Sequence, residues 1–341
     1  MPEAANQAEM LLTRGQYLGR VADYERATAI ADALVQEAPT EGRVFILRAR
    51  VQLTWHRFAE ALADLDIAER LGAQGARTDG VRAGVFKAMG RYDEALVLHR
   101  RIVATGPDIL SLGAEGAVFA DRGDLAEAAA TFAAAEESYR DVSPFPVAWL
   151  RFQEGAMWLR DGDIERARPL LQEAVDRLPA YASASGLLAQ LDAAAGRREA
   201  AITRLTPLAE ASDDPDYAAQ LARILGEAGR PEEAATWRAR AEARFTELVA
   251  VHSEAFADHA ADFWLNAGAD AQRAVALARE NAARRPTARA YELLLQAALA
   301  INDATLGCEA ADGASRAPYR WPRLQTLVTN AYRACGRYPR T

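Results

Sequence analysis

Three side chains that can bind a divalent metal lie close together in the sequence: His252, His259 and Asp262. Their spacing of seven and then three residues places them on one helix face if a continuous helix carries them. Imidazole and carboxylate groups are ligands for zinc and other divalent ions. Three ligands on one helix need a fourth group from elsewhere to converge on one ion. We therefore expect a solvated polar face, and keep a metal or small-ligand site on this helix as the weaker alternative.

The chain carries none of the short motifs that usually mark an active site. A glycine-rich phosphate loop, a Gly-x-Ser-x-Gly turn, a cysteine pair at zinc spacing and a His-Glu-x-x-His helix are all absent from the sequence. The residues therefore predict a protein that is not an enzyme and that needs no cofactor.

The two cysteines of the chain, Cys308 and Cys335, both lie near its C-terminus. Two cysteines cannot build the disulfide framework of a small secreted domain. In a cytoplasmic protein we expect them to be free, buried and small, whereas in an exported protein they would be joined.

The composition is that of a globular protein with an acidic balance. The chain has 40 Lys and Arg against 48 Asp and Glu, a formal net charge of -8, and half of its residues are hydrophobic. Nucleic-acid binding needs a continuous basic face, so this balance argues against a nucleic-acid partner. No apolar run approaches the roughly 20 residues of a membrane span, and the N-terminus lacks the layout of a signal peptide. We expect a cytoplasmic protein, or a periplasmic one if Met1 was added to a mature exported domain; composition gives no oligomeric state.

An alanine returns in the same local context eight times along the chain, at intervals of 33 to 40 residues. The eight positions are Ala27, Ala61, Ala95, Ala128, Ala167, Ala201, Ala234 and Ala274. A period near 34 residues is typical of helix-turn-helix arrays, in which each unit packs on its neighbours without a central core. Because the period covers nearly the whole chain, it predicts an all-α repeat architecture.

Other residues recur in phase with this alanine. Glycine stands five or six residues before it in six units, at Gly90, Gly123, Gly162, Gly196, Gly229 and Gly268, and Ala22 and His56 hold this place in the other two. A residue further back is always small: Gly15, Ala49, Ala83, Gly116, Gly155, Ala189, Ala222 and Ala261. The glycine predicts a positive-φ end to the first helix, and the small residue lets the two helices of a unit approach closely.

These residues resemble the tetratricopeptide repeat. The segments Gly90–Pro107 (GRYDEALVLHRRIVATGP) and Asp161–Pro179 (DGDIERARPLLQEAVDRLP) fit its pattern of Gly, Ala and a terminal Pro. The resemblance covers residues 8–286 and implies a right-handed superhelical α-solenoid of eight units, starting near residues 8, 42, 76, 109, 148, 182, 215 and 254. A degenerate ninth hairpin over 287–319 and a capping helix and tail over 320–341 complete the expected organisation.

The chain departs from the family pattern in two respects. Where the family has a leucine beside the small residue, consecutive units have Arg14, Arg48, Arg82, Glu115 and Glu154. These residues form either a charged binding stripe or, as we favour, a ladder in which Arg82 and Glu115 pair across adjacent units. Two insertions also interrupt the phase: Glu137–Val147, where two prolines are expected to bar helix, and Ala243–Phe256, which lengthens a helix. They serve either a binding face or a change of superhelical pitch.

The resemblance implies that the concave face, lined by the first helices, is the ligand surface. The residues expected to line it in units two to five are Ile46, Leu53, Gly80, Gly84, Gly113, Ala117, Trp149, Phe152 and Leu159. A shallow floor beside aromatic side chains suits an apolar helix or extended peptide with one large anchor. Alternatively, Trp149 and Phe152 pack beneath the Glu137–Val147 insertion. Chaperone-binding members of the family hold a carboxylate terminus with Lys, Asn and Arg at set places in three first helices. This chain does not have that combination, because the corresponding places hold Leu12, Gln16, Ile46, Arg50, Gly80 and Gly84.

The sequence therefore predicts a non-enzymatic scaffold or adaptor that binds a peptide or protein segment in its concave groove. Two alternatives stay open: a metal-binding or small-ligand module that uses the His252–Asp262 helix, and a regulatory or assembly subunit of an envelope complex. The identity of the partner is not written in any motif of the chain.

Overall fold

A computed structural model describes residues 2–316, 319 and 321–337 of the chain. These residues form eighteen α-helices and no strand, so the expected all-α repeat architecture is confirmed. The helices are α1 Pro2–Leu18, α2 Val21–Glu37, α3 Gly42–Thr54, α4 Phe58–Arg70, α5 Ala76–Ala88, α6 Tyr92–Thr105, α7 Ile109–Arg122, α8 Leu125–Ser138, α9 Pro144–Asp161, α10 Ile164–Arg177, α11 Ala182–Ala194, α12 Arg198–Ala211, α13 Pro215–Glu227, α14 Pro231–Leu265, α15 Ala271–Arg284, α16 Ala288–Ala300, α17 Ala304–Ser315 and α18 Pro322–Ala334.

Consecutive helices pack in pairs, so that α1 and α2 form unit one, α3 and α4 unit two, and so on along the array. The long helix α14 belongs to two units. Its first part packs on α13 and its second part on α15. The last helix, α18, packs on α16 and α17 at the end of the array, where an apolar face would otherwise be left uncovered.

The in-phase small residues lie where the two helices of a unit cross. Of the eight recurring alanines, seven are fully buried, at 0 % exposure. At Gly116 an added Cβ would lie 2.8 Å from the Phe132 ring, and at Gly155 it would lie 2.8 Å from the Leu171 side chain. Glycine therefore sets the helix separation in these units. The eighth alanine, Ala234, is only half-buried because the start of α14 is largely exposed.

A left-handed residue ends the first helix of most units. Five of the six predicted glycines have positive φ: Gly90, Gly123, Gly162, Gly196 and Gly229. In unit eight the prediction is wrong by one residue, because Ala269 rather than Gly268 has the positive φ, at 52°. His56 also adopts this conformation, at φ 56°, and in unit one Gly19 does so instead of Ala22.

Both insertions differ from expectation in their local structure. Pro144 and Pro146 do not bar helix, because they lie in the first turn of α9, where the missing N–H costs no hydrogen bond. The second insertion does extend a helix, but His252 interrupts α14 with φ −134° and ψ 49°. The two parts of α14 therefore run in different directions.

The structure joins Cys308 of α17 to Cys335 at the end of α18 by a disulfide, with the Cα atoms 6.5 Å apart. Of the two alternatives stated for these cysteines, the structure agrees with the joined pair. Helices α17 and α18 pack closely enough for the two cysteines to meet. The distance between the two cysteines cannot be read from their spacing in the sequence.

The array turns back on itself, and its later units lie against its earlier ones. The backbone N–H of Val21 donates to Asp213 at 2.7 Å, the Glu254 carbonyl lies 3.0 Å from His56 Nδ1, and the Trp321 indole donates to the Asp121 carbonyl at 3.1 Å. These partners are 192, 198 and 200 residues apart. The nearly constant separation means that one superhelical turn takes close to six units and that successive turns touch.

We call this contact the seam. One side consists of hairpin turns at Gly19, His56, Gly90 and Asp121, and the other of the segments between units at Asp213, Glu254, Pro286 and Trp321. At the seam, Asp213 also accepts from the N–H of Ala22, so it caps the N-terminus of α2. The residue before α2, Arg20, makes no such cap. Helix-end donors that usually find a local partner are here satisfied by a residue six units away.

Candidate functional site

A concavity with a volume of about 500 Å³ lies on the first helices of units one to three. Its floor is apolar and consists of Leu12 from α1, Leu53 from α3 and Val81 from α5, with Tyr24 of α2 behind them. Gly80 lies on the same wall, where an added Cβ would meet no atom nearer than 3.9 Å. The floor therefore has free space in front of Gly80, which a side chain of another molecule could occupy.

Two arginines and one glutamate form the rim of this concavity. Arg50 and Arg77 both line it, and both pair with Glu9 of α1. The Arg77 guanidinium lies 2.8 Å from the carboxylate and its side chain is 63 % exposed. One carboxylate faces two guanidinium groups, so the rim carries a net positive charge within an acidic protein.

The predicted groove residues of units two to four divide between this concavity and the core. Leu53 and Gly80 line the concavity. Gly84 lies beneath Leu53, whose Cδ2 would be 3.0 Å from an added Cβ. Ile46 and Ala117 are buried, at 4 % and 6 % exposure. Ile46 belongs to the core of the first units, and Ala117 lines a separate concavity of about 120 Å³ next to Trp321.

The structure places the aromatic residues of unit five against other parts of the chain. Trp149 lies over Gly113 of α7, whose added Cβ would lie 2.6 Å from the indole. Phe152 packs on Tyr181, with ring centroids 5.0 Å apart, and Leu159 packs partly buried against the core. Trp149 itself thus fills the space above the glycine floor of unit four.

The Glu137–Val147 insertion braces the end of α1. The Tyr17 ring lies between Phe145 and Tyr181, with centroid distances of 5.2 and 4.7 Å, and its hydroxyl donates to the Phe145 carbonyl at 3.2 Å. Burial raises the pKa of Tyr17 to about 12. The insertion therefore holds unit one against units five and six.

A second, polar concavity of about 300 Å³ lies among the first helices of units six to nine. Its lining includes Gln190, Gln220 and the pair His259–Asp216, whose Nδ1 and Oδ2 atoms are 2.6 Å apart. The charge of Asp216 raises the pKa of His259 well above its ordinary value. Beside them, burial raises the pKa of Asp214 to about 7.

The three candidate metal ligands do not meet. The interruption of α14 turns His252 away, so that its ring stacks on Trp55 at the seam with centroids 3.7 Å apart. His259 pairs with Asp216, and Asp262 pairs with Arg289 at 3.0 Å. Among the described residues, no group of three or more His, Cys, Asp or Glu side chains could hold a metal ion.

The charged stripe of the first helices pairs locally, and the expected Arg82–Glu115 pair does not form. Arg82 lies 2.9 Å from Asp66 and 3.1 Å from Glu69, both on α4 of the preceding unit. Glu115 lies 3.9 Å from Arg100 of α6. In both cases a first helix pairs with the second helix of the unit before it, because that helix is the nearer neighbour in the array.

Sequence reasoning missed the rim of the first concavity. Glu9 and Arg77 lie 68 residues apart, in units one and three, so no short-range spacing connects them. The available signal was helix phase alone, which places Glu9 one turn before Thr13 on the inner side of α1. The seam was also missed, for the same reason.

Within the described part of the chain, no helix combines the length and the apolar run needed to cross a bilayer. A tetratricopeptide repeat family model matches residues 159–224. No curated protein matches the chain by sequence.

Several solved structures are similar in fold. The APC/C hetero-tetramer Cut9-Hcn1 matches with a TM-score of 0.51 at 12 % identity over 91 % of this chain, which spans 59 % of that chain. Yeast Tom70 matches with a TM-score of 0.47 at 14 % identity, covering 94 % of this chain and 87 % of that one. A tetratricopeptide repeat protein from Parabacteroides merdae matches with a TM-score of 0.46 at 15 % identity, covering 70 % and 93 %.

The likeness to Cut9-Hcn1 supports the fold and, at this identity, nothing beyond it. The matched segment 159–224 begins in α9 and ends in α13, and helix pairs of the same kind continue on both sides of it. These findings show a tetratricopeptide repeat over residues 159–224 and a fold like that of tetratricopeptide repeat arrays for the described chain.

Proposed function

We propose that the protein is a non-enzymatic scaffold that binds a peptide or protein segment in its concave groove. The observation that carries this proposal is the concavity of units one to three, which has an apolar floor and a volume of about 500 Å³. Proteins of this fold typically mediate protein–protein interactions through such surfaces. The volume is within the range of ordinary ligand pockets and accommodates one or two apolar side chains of a partner.

The rim indicates the kind of segment that fits. Arg50 and Arg77 share one carboxylate, Glu9, and Arg77 is largely exposed. Guanidinium groups bind carboxylates with two parallel hydrogen bonds. We therefore propose a partner segment with an apolar anchor next to an acidic residue.

The remaining predicted groove residues take different roles in this proposal. Leu53, Gly80 and Gly84 form or support the wall that the anchor contacts. Trp149 lies further along the first helices, over Gly113, and offers a flat indole face to a longer segment. Phe152 contributes to stability through Tyr181 rather than to binding.

The test fills the concavity without disturbing the fold. Gly80→Leu replaces a helical glycine that has free space in front of it, so the leucine occupies the room proposed for the partner. Gly226→Leu on α13 is the matched control, since its added Cβ meets only Ala234 at 4.0 Å, outside this concavity. Peptides selected from a displayed random library with the unaltered protein are then measured by calorimetry.

We expect Gly80→Leu to weaken binding of the selected peptides at least about tenfold, corresponding to loss of roughly 1.4 kcal/mol. The control should bind as the unaltered protein does, and thermal unfolding should show that both variants are folded. Selected peptides that bind Gly80→Leu with unchanged affinity contradict the proposal.

A further inference from the structure

The connection between α17 and α18 makes the last contacts of the seam. Tyr319 packs edge-on against Tyr92 of α6, with ring centroids 6.0 Å apart. Trp321, which directly precedes α18, donates from its indole to the Asp121 carbonyl of α7 at 3.1 Å. Both side chains are buried, at 5 % and 2 % exposure. They attach the start of α18 to units three and four.

Trp321 also covers part of the first-helix surface of units three to five. It lines a concavity of about 120 Å³ together with Lys87 of α5, Ala117 of α7 and Met157 of α9. The Arg160 guanidinium lies over its indole, 4.3 Å from the ring centroid. This part of the surface is covered as long as Trp321 stays in place.

The disulfide attaches the opposite end of α18. Cys335, which directly follows this helix, is joined to Cys308 near the start of α17. Asp312 of α17 adds a hydrogen bond to Tyr332 and an ion pair to Arg337. A terminal helix of an array has neighbours on one side only, and such elements open at a low cost in free energy. Because both ends of α18 are attached, the oxidised chain keeps this helix from swinging away.

The two sulfur atoms differ in their exposure. Cys308 is buried at 7 % exposure, whereas Cys335 is only partly buried. A thiolate from solvent therefore attacks Cys335 Sγ: a new bond forms between these two sulfurs, the Cys308–Cys335 bond breaks, and its electron pair goes to Cys308 Sγ, which takes up a proton. The second thiol of a dithiol reductant then attacks the sulfur of the first, and Cys335 leaves and takes up a proton. The protein disulfide gains two electrons, and the dithiol becomes a disulfide.

We propose that the Cys308–Cys335 disulfide is a redox switch. A dithiol that reduces it releases α18 and withdraws Trp321 from the first helices of units three to five. Only the end of the array opens, because the other seam contacts, such as that of Asp213 with α2, involve neither α17 nor α18. The switch acts on the C-terminal helix of the chain itself and needs no bound partner, so it goes beyond the proposed scaffold function.

The test compares hydrogen exchange in the full chain before and after reduction with dithiothreitol, a small dithiol. NMR follows the backbone amides of α18 and the indole N–H of Trp321, whose signal Trp321→Phe identifies. The Trp55 indole is the matched internal control, because it is 1 % exposed and donates to Thr28, away from α18. The variant Cys308→Ala/Cys335→Ala should behave as the reduced chain does, with or without dithiothreitol.

We expect reduction to speed exchange in α18 and at the Trp321 indole at least about thirtyfold, because a disulfide between residues 27 positions apart restricts the open state. The Trp55 indole should keep its rate, and reoxidation with oxidised glutathione should restore slow exchange in α18. Unchanged exchange in α18 and at Trp321, in a sample whose thiol count shows complete reduction, overturns the proposal. Equal acceleration at Trp55 also overturns it, because reduction would then loosen the whole array rather than its end. No peptide is present, so the result does not depend on the proposed scaffold function.

Discussion

Gly90 and Gly229 occupy the same place in units three and seven, and both have φ 76°. Their surroundings differ. An added Cβ at Gly90 would lie 3.0 Å from the Pro286 carbonyl and 3.2 Å from the Tyr319 hydroxyl, whereas at Gly229 it would meet no atom within 4 Å. The same repeat residue is thus covered by the seam in the first superhelical turn and open in the second.

The difference shows that position in the superhelix adds constraints that the repeat itself does not contain. In units one to four the hairpin turns are contact surfaces, and their polar groups have partners from later units. In units five to seven, a Cβ added at Gly162, Gly196 or Gly229 would meet no atom within 4 Å. We therefore expect substitutions at equivalent positions to have larger effects in the first half of the array.

The largest effect should come from Trp321, which closes the seam at the last unit. Its side chain is 2 % exposed, donates to the Asp121 carbonyl and lies under the Arg160 guanidinium, 4.3 Å from the ring centroid. Trp321→Ala should lower the free energy of unfolding by about 3–5 kcal/mol. Trp237→Ala, at a half-buried tryptophan on α14 away from the seam, is the control. Denaturant unfolding that gives equal losses for both would show that the seam adds little stability.

A smaller effect should follow from acidification of the seam. Burial, together with the neighbouring Arg285, lowers the pKa of His56 to about 4, while the nearby Asp258 acts in the opposite direction. A histidine with a lowered pKa stabilises the folded state above its unfolded pKa of about 6.5, and this contribution is lost as the pH falls towards 4. Between pH 6.5 and pH 5 the loss should be about 2 kcal/mol.

The variant His56→Asn isolates this contribution. Asparagine does not titrate and tolerates the left-handed backbone at this position. His259, with its raised pKa, stabilises the fold at low pH in both proteins. The measured quantity is therefore the difference between the two proteins in how steeply stability changes with pH. Urea midpoints measured across this range should fall less steeply for the variant. Parallel slopes would mean that His56 is not the titrating group.

The repeat phase predicted the fold because it reflects short-range packing. Ala61 and Gly155 need small side chains at helix crossings whatever lies beyond the unit. The prediction failed where a residue type has two roles: prolines that interrupt a helix also begin one, as Pro144 does in α9. It also failed at His252, where contact with Trp55 accompanies a break in an otherwise helical segment.

Less of the candidate site than of the fold could be predicted from the sequence. Leu53 and Gly80 were predicted because helix phase places them on the inner side of their own units, and both line the concavity of units one to three. The Glu9–Arg77 pair depends on how units stack. The seam depends on the small rotation between successive units, which accumulates over nearly 200 residues before the turns touch. Neither the stacking of units nor the rotation between them can be read from the spacing of residues within one unit.

The most specific test of the difference between the two superhelical turns is also the one with the smallest expected change in stability. Gly90→Ala and Gly229→Ala impose the same backbone penalty of about 1–2 kcal/mol, because both glycines have φ 76°. Gly90→Ala also pushes a methyl group against the Pro286 carbonyl, and overpacking of this kind adds about 1 kcal/mol. The difference between the two variants, measured by denaturant unfolding, therefore reports the seam alone. A difference near zero would mean that the two superhelical turns separate readily in solution, and units one to four would then behave as an open array like units five to seven.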